Sequence, residues 1–338
     1  AIGATLAARG KPGDRAILLY APGLDFIMGF IGCLSAGMIA VSATPPDPSR
    51  IKRTLGRLRN IVADCEPRFI ITTADFARQA RAMFGMAPEL AQLEWIATDE
   101  IPAEEAAQWT PSAYERVAFL QYTSGSTGTP KGTVITHENL LHNHALMSER
   151  FEHDRTSHWL SWLPVYHDMG LIAGALLPIS VGITGTQMPP GRFLQKPMRW
   201  LRAISAYGAT TSGGPNFGFD LCVRKVTEAD FEGLDLSSWK NAFNGAEPVR
   251  AETLNRFAEV FERAGFQRSA YGPCFGLAEG TLCCTLGKKT APPIIMGVQP
   301  QGMEQGEAKL DETADATMLV GSGHAGIDML VEIVDPVT

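Results

Sequence analysis

The residues best suited to chemistry lie in one short stretch, YTSGSTGTPKG, from Tyr122 to Gly132. Its glycines let successive backbone N–H groups form a concave anion-binding nest, while hydroxyl side chains and a lysine add donors and positive charge. A plain linker would lack the Thr-Pro-Lys-Gly ending and the flanking apolar strands, so the stretch favours phosphate binding. The candidate phosphate-binding residues are Thr123, Ser124, Gly125, Ser126, Thr127, Gly128, Thr129, Lys131 and Gly132.

Two familiar phosphate-binding patterns do not match this stretch. Lys131 stands between Pro130 and Gly132, and the stretch joins two predicted strands. A Walker A loop leads into a helix, whose N-terminus helps to hold the phosphates. Neither that pattern nor GxGxxG therefore applies, although the physics of anion binding remains.

Composition restricts the classes of partner. The 338 residues are 45% hydrophobic and 19% charged, and 29 basic against 36 acidic residues give a net charge of −7. This predicts a folded globular protein with no basic field for nucleic acid. The cysteines show no zinc or disulfide spacing, which fits a reducing cytoplasm. The uncharged residues 26–46 could cross a bilayer in length, but their glycines and serines favour a buried helix and strand, with no membrane span.

Short apolar strands alternate with amphipathic helices along most of the chain, which predicts an α/β architecture with largely parallel sheets. A helix is predicted over 171–182, after the stretch SWLP. The predicted strands are 15–20, 38–43, 68–74, 93–98, 117–124, 132–136, 161–164 and 209–215. Cys283 and Cys284 are interpreted as part of a further buried strand.

The stretch Tyr122–Gly132 resembles the signature phosphate loop of the adenylate-forming superfamily, which includes acyl-CoA synthetases, luciferases and nonribosomal adenylation domains. Four further stretches resemble one branch of it, the fatty acyl-AMP ligases, and occur in that family's order: 161–172, 212–225, 234–261 and 271–281. The likeness covers essentially the whole chain. It implies two stacked, mostly parallel β-sheets flanked by helices, followed by the start of a smaller β-barrel-like subdomain.

The resemblance also implies a reaction. A fatty acid is activated by ATP, with Mg²⁺, to fatty acyl-adenylate and pyrophosphate, and the acyl group passes to the phosphopantetheine thiol of an acyl carrier protein. By the same resemblance, Glu279 binds Mg²⁺, Phe275 stacks on adenine, and Lys131 holds the terminal phosphates. The remaining nucleotide-binding residues implied are Asn244, Gly245, Ala246, Glu247, Pro248, Gly276, Leu277 and Ala278.

Two neighbouring residues have competing interpretations. His167 matches the motif that lines the acyl site, and we expect it, with Lys131, to be catalytic; the alternative is a core histidine paired with Asp168. Asp168 could hold a substrate amine, as in amino-acid-activating domains, or could be a helix N-terminal carboxylate. The apolar segments around it favour an acyl chain over an amino acid.

The resemblance implies interleaved subdomains, 1–65 with 165–295 against 66–164. An insertion is expected at 297–317, where it restrains a mobile C-terminal domain, and a third subdomain begins at 318–338. By the same resemblance, a small C-terminal domain that carries a lysine is expected to lie outside these residues, so we expect them to bind ligands but to adenylate poorly. The alternatives are an acyl-CoA synthetase, an amino-acid-activating domain, or a non-catalytic nucleotide- or acyl-binding module.

Overall fold

The computed structural model describes residues 1–106, 109–111, 116–123, 131–289, 291–304, 306–313 and 315–335. It divides into two compact units. The first comprises 1–142 and 164–176, and the second 143–163 and 177–338. Each unit has its own large β-sheet.

The strands are short, and most lie in one of these two sheets. In the described part of the chain they are β1 (Arg15–Leu18), β2 (Ile39–Ser42), β3 (Phe69–Thr72), β4 (Glu94–Ala97), β5 (Val117–Thr123), β6 (Lys131–Thr136), β7 (His158–Ser161), β8 (Thr184–Gln187), β9 (Thr211–Gly213), β10 (Asn241–Asn244), β11 (Tyr271–Gly276), β12 (Cys283–Leu286), β13 (Ile295–Val298), β14 (Thr317–Val320) and β15 (His324–Ala325).

Helix α1 precedes β1, and the other helices lie between successive strands. They are α1 (Ile2–Arg9), α2 (Leu24–Ser35), α3 (Ile51–Cys65), α4 (Ala74–Ala80), α5 (Pro88–Ala91), α6 (His137–Arg150), α7 (Leu177–Val181), α8 (Pro190–Gln195), α9 (Met198–Tyr207), α10 (Asn216–Lys225), α11 (Ala251–Phe261) and α12 (Pro300–Glu304). A π-helical segment, Met169–Leu176, precedes α7, and short 3-10 turns occur between several elements.

The first sheet has the strand order β4-β3-β1-β2-β5-β6. All neighbouring pairs are parallel except β5 and β6, which form an antiparallel pair at one edge. Parallel strands need crossover connections, which here are largely helical. Helix α3 packs Leu55, Leu58 and Ile61, spaced three residues apart, into the core formed by this sheet. The other face of α3 carries most of its charged residues.

The second sheet has the strand order β15-β12-β11-β10-β9-β7-β8. The run from β8 to β11 is parallel, while β12 and β15 are antiparallel to their neighbours. Its core is rich in aromatic rings: the centroids of Trp200 and Trp239 lie 5.2 Å apart, and those of Phe219 and Phe257 lie 5.1 Å apart. Edge-to-face contacts of this kind stabilise a core beyond simple burial.

The predicted α/β architecture with two mostly parallel sheets flanked by helices is confirmed, as is the buried strand at Cys283 and Cys284. In the described residues, β1 and β2 pair with β3 and β5, which lie in the 66–164 stretch, and the expected subdomain boundaries stay a prediction. The predicted insertion 297–317 contains α12 and connects the antiparallel pair β13 and β14.

Two predicted elements differ in part from the observed ones. The strand predicted at 161–164 is β7, which ends at Ser161, so that Pro164, which has no N–H to donate, falls outside the sheet. The helix predicted over 171–182 is divided in two: residues 171–176 belong to the buried π-helical segment, and Leu177–Val181 form α7. Within the described residues, no helix is both long enough and apolar enough to cross a membrane.

Candidate functional site

The two ends of the predicted phosphate-binding stretch lie side by side in the first unit. Thr123 ends β5, Lys131 begins β6, and the two residues are partners in the antiparallel pair. Tyr122 and Gly132 form the next pair inward. The backbone of Lys131 is therefore fixed by the sheet, while the residue as a whole is exposed to solvent. The predicted residues between these ends, Ser124, Gly125, Ser126, Thr127, Gly128 and Thr129, lie outside the described residues.

Tyr122 anchors this hairpin to helix α3. Its hydroxyl donates a hydrogen bond to the carboxylate of Asp64, and burial together with this bond raises the pKa of the phenol. The guanidinium of Arg57 lies 3.5 Å from the carbonyl oxygen of Tyr122 and donates to it. A side chain at Gly132 would place Cβ only 2.8 Å from the Tyr122 ring, so the ring requires glycine opposite it.

The segment that carries His167 lies next to β5. The buried amide of Gln121 donates through Nε2 to the carbonyl oxygen of Tyr166, 3.3 Å away. No described group bonds its other atom, Oε1, which is also buried. Gln121 therefore fixes the residue before His167 relative to a strand that leads into the phosphate-binding stretch.

His167 and Asp168 form a close pair. The Nδ1 atom of His167 lies 2.6 Å from Oδ1 of Asp168, and this hydrogen bond raises the pKa of the imidazole, against an opposing effect of burial. The side chain of His167 is nevertheless 58% exposed, so it pairs with Asp168 without being a core histidine. Oδ1 of Asp168 also accepts a 2.7 Å hydrogen bond from the backbone N–H of Met169. Asp168 is thus a helix N-terminal carboxylate.

The π-helical segment that follows, MGLIAGAL, is buried at all eight positions. π-helical turns are rare and often occur at functional sites, because the extra residue per turn shifts the helical register. This segment gives the exposed imidazole of His167 an apolar neighbour along the chain. Such a combination suits a ligand with a polar head and an apolar chain.

In the second unit, two predicted nucleotide-binding segments follow neighbouring strands. Strands β10 and β11 are parallel, with Asn244 opposite Pro273. Because the carboxyl ends of parallel strands meet at one edge of a sheet, segment 244–248 and segment 275–279 lie at the same edge. The structure therefore brings these two sets of predicted residues together.

Close backbone packing shapes this edge. A side chain at Gly245 would lie 2.6 Å from Sγ of Cys274, and one at Gly276 would lie 1.6 Å from the carbonyl oxygen of Leu282. Ala246 has φ +69°, a left-handed conformation that is costly for a residue with a Cβ. Strain of this kind persists where the surroundings fix the backbone, and it is frequent at ligand sites.

Phe275 presents its ring at this edge. The residue is 50% exposed, whereas the neighbouring Ala278 is buried. The pairing of β11 with β12 shifts register between Phe275 and Gly276, and such bulges redirect side chains beside binding sites. Leu277 is also partly exposed, and Glu279 is exposed with no ion pair to any described residue. The exposed ring of Phe275 and the unpaired carboxylate of Glu279 are therefore four residues apart in the sequence.

Asn216, at the start of α10, is a residue that sequence reasoning missed. It is buried, and its Nδ2 donates to the carbonyl oxygen of Pro248 at 2.9 Å while its Oδ1 accepts from the backbone N–H of Arg250 at 3.1 Å. The Nδ2 of Asn244 also donates to this Oδ1, at 3.3 Å. One side chain thus holds the segment after β10 at both ends. Asn216 lies in the stretch 212–225 that resembles the fatty acyl-AMP ligases, which is the one sign in the sequence that it matters. Its hydrogen-bond partners lie 28 to 34 residues away along the chain.

Comparison with known proteins identifies the family. Residues 1–311 match the family described as AMP-binding enzyme. The chain belongs to this family. The AMP-binding chain is 39% identical over 334 residues to the medium-chain-fatty-acid–[acyl-carrier-protein] ligase JamA of Moorena producens, covering 96% of this chain and 56% of that protein. It is 37% identical over 335 residues to the long-chain-fatty-acid–AMP ligase FadD32 of Mycolicibacterium smegmatis, covering 96% and 52%.

A solved structure shows the same relationship. The fatty acyl-adenylate ligase of L. pneumophila, determined with acyl adenylate and pyrophosphate, matches with a TM-score of 0.89 at 41% identity, over 96% of this chain and 56% of that one. The resemblance to fatty acyl-AMP ligases is therefore confirmed. The AMP-binding chain spans about half the length of the relatives that it matches.

Proposed function

We propose that this AMP-binding chain provides the nucleotide- and acyl-binding part of a fatty acyl-AMP ligase. In that reaction a carboxylate oxygen of the fatty acid attacks the α-phosphorus of ATP. A new P–O bond forms as the bond to the oxygen bridging to the β-phosphorus breaks, and pyrophosphate leaves. The phosphopantetheine thiol of an acyl carrier protein, the kind of carrier named for the relative from Moorena producens, then loses its proton and attacks the acyl carbonyl; a thioester forms as the acyl–phosphate bond breaks, and AMP leaves.

The observation that carries the proposal is the edge formed by β10 and β11. Phe275 offers an exposed ring on which adenine can stack, and segment 244–248 supplies backbone groups beside it. Glycine at positions 245 and 276 lets the backbone pack closely against Cys274 and Leu282, which fixes the segments beside the ring. A planar base is the ligand that such an edge fits best.

The terminal phosphates are assigned to residues 123–132, with Lys131 as the cation that holds departing pyrophosphate. Phosphoryl transfer depends on positioned donors and charge neutralisation more than on a nucleophilic side chain. Mg²⁺ usually keeps several waters and binds one or two carboxylates plus substrate phosphates. The exposed and unpaired carboxylate of Glu279 fits that requirement, and the ion would supply charge neutralisation at the phosphates.

His167 is assigned to the carboxylate of the fatty acid. Its raised pKa favours the imidazolium form, which can donate a hydrogen bond to a carboxylate. The buried π-helical segment that follows suits an acyl chain. An amino-acid substrate is less well supported, because the carboxylate of Asp168 already accepts from Met169 and His167.

Two measurements test this function. Calorimetry of the 338-residue chain with ATP, Mg²⁺ and a fatty acid should show binding of both ligands, with ATP binding weakened when Lys131 is changed to alanine. Mass spectrometry of products from the full-length protein, given fatty acids in one reaction and amino acids in another, should show fatty acyl-AMP only. Aminoacyl-AMP, or no adenylate at all, would contradict the proposal.

A further inference from the structure

A cavity of about 690 Å³ in the first unit has no role in the function proposed above. It lies between the residues that follow β2, among them Thr44 and Pro45, and one side of α3. Its volume is within the range of small-molecule sites, roughly 300 to 1,000 Å³. The cavity is therefore large enough for a ligand of the size of a phosphate chain.

Three arginines line this cavity. Arg53 and Arg57 lie four residues apart on one side of α3, and Arg50 is the last residue of the short 3-10 turn that leads into this helix. All three are exposed, and none forms an ion pair with another described residue. Such a concentration of unpaired positive charge is unexpected in a chain whose net charge is −7.

The acidic residue in the lining is already satisfied. Asp47 accepts hydrogen bonds from the backbone N–H of Ser49 at 2.9 Å and from its hydroxyl at 2.8 Å, and these bonds hold the pKa of the carboxyl below its ordinary value. The carboxylate of Asp47 thus accepts hydrogen bonds from its own turn. The guanidinium groups of Arg50 and Arg53, and those N–H groups of Arg57 that do not face the carbonyl oxygen of Tyr122, remain available to an anion from outside.

The arginine cavity lies at the edge of the sheet where β5 ends. Strands β2 and β5 are parallel neighbours, with Ala40 opposite Phe119, so the residues after both strands lie at one edge. Arg57 contacts the carbonyl oxygen of Tyr122, the first residue of the predicted phosphate-binding stretch. The cavity therefore borders the entrance to that stretch.

We propose that Arg50, Arg53 and Arg57 form a second anion site, separate from residues 123–132, that binds a pyrophosphate group. The group is either free pyrophosphate leaving after adenylation or the terminal phosphates of an arriving nucleotide. Guanidinium groups bind phosphate through paired, charge-assisted hydrogen bonds. The site rests on the proposed function for the source of its anion, but its own binding of pyrophosphate does not depend on catalysis.

The test measures binding of inorganic pyrophosphate and, separately, of ATP to the 338-residue chain by calorimetry at low salt. The variant carries Arg50→Gln and Arg53→Gln, and the matched control carries Arg59→Gln. Arg59 lies on the same helix but outside the lining, where it pairs with Glu89. We expect the double variant to lose about tenfold or more in pyrophosphate affinity, as for loss of a charge-assisted contact, and the control to bind as the unchanged chain does.

The outcomes distinguish free pyrophosphate from the terminal phosphates of a nucleotide, and they distinguish the arginine site from residues 123–132. Loss of pyrophosphate binding alone supports an exit site, and loss of both pyrophosphate and ATP binding supports a site for the nucleotide tail. Unchanged binding in the double variant, or an equal loss in the Arg59→Gln control, would overturn the site. Lys131→Ala should leave the arginine-dependent pyrophosphate binding intact, so a failure of residues 123–132 to bind phosphate is seen separately. Circular dichroism confirms that each variant is folded.

Discussion

The site in the first unit and the site in the second are held in different ways. Around β5, hydrogen bonds from side chains hold the segments in place: Tyr122 donates to Asp64, and Gln121 donates to the backbone of Tyr166. At the edge of β10 and β11, backbone packing does it, through glycines that no other residue can replace without displacement. We infer that the proposed nucleotide-binding edge of β10 and β11 tolerates little change in shape, whereas the proposed acyl- and phosphate-binding site around β5 can be altered one hydrogen bond at a time.

The largest effect is expected at Gly276. In Gly276→Ala the new Cβ would lie 1.6 Å from the carbonyl oxygen of Leu282, so the backbone of β11 or β12 must move. Overpacking of this kind costs about 1–3 kcal/mol of the free energy of unfolding, and more where backbone is the obstacle. Urea denaturation and ATP calorimetry should show lower stability together with loss of nucleotide binding.

The matched control is Gly191→Ala in α8, also in the second unit. A Cβ at Gly191 has no neighbour within 4 Å. Alanine favours helix over glycine by up to about 1 kcal/mol, so stability should stay the same or rise slightly. If both variants unfold at the same urea concentration, backbone packing at Gly276 is not what defines this edge.

The second largest effect is expected at Asn216, whose side chain supports the proposed nucleotide-binding edge of β10 and β11. Asn216→Ala leaves the carbonyl oxygen of Pro248 and the N–H of Arg250 without their partner. The buried amide of Asn244 also loses its acceptor, and an unsatisfied buried group costs about 1–3 kcal/mol, so the free energy of unfolding and the ATP affinity should both fall. Asn216→Asp retains the acceptor for Arg250 and should lose less. Equal ATP affinity in a folded Asn216→Ala variant would limit Asn216 to a structural role.

The two sites also differ in what the sequence can predict. The strands flanking Tyr122–Gly132 follow from apolar runs interrupted by turn residues, and β5 begins at Val117, as predicted. Strand β10, with the sequence NAFN, carries asparagine at both ends and has no alternating pattern, so nothing local marks it as a buried strand. Its burial depends on neighbours β9 and β11, which are distant in sequence.

The role of Asn216 could not be predicted for the same reason. Asparagine at the start of a helix is common, and only the folded chain brings it to Pro248 and Arg250. The π-helical segment was predicted as an ordinary helix, because an apolar run has no signal for an extra residue per turn. Motif resemblance indicated which segments matter, and tertiary contacts determine how they are held.

A smaller effect, on affinity alone, is expected at Phe275. The ring is half exposed, so Phe275→Ala should leave the free energy of unfolding almost unchanged. Loss of stacking on a base costs about 1–3 kcal/mol, which corresponds to a roughly 5- to 150-fold weaker ATP affinity. Phe275→Tyr keeps the flat face and should bind like the unchanged chain. Unaltered ATP affinity in Phe275→Ala would remove this ring from the adenine site.

The smallest effect concerns the pH dependence of fatty-acid binding. Asp168 raises the pKa of His167 above its ordinary value of 6.5, so the imidazolium persists to higher pH. If the imidazolium binds the acyl carboxylate, affinity is full at low pH and declines as pH rises through the raised pKa. Asp168→Asn retains an oxygen that can accept from the N–H of Met169 but removes the charge, so the decline should move to lower pH.

Calorimetric titration of a fatty acid between about pH 5 and 9 spans the range in which histidine changes charge. The same sign applies to stability: a raised folded-state pKa stabilises the fold at low pH, and this contribution disappears as pH rises through that pKa. His167→Gln should bind the fatty acid more weakly at low pH and show no decline. If the pH midpoint of fatty-acid binding is the same with aspartate and with asparagine at position 168, His167 does not bind the carboxylate of the fatty acid. The acyl side would then depend on the apolar segment alone.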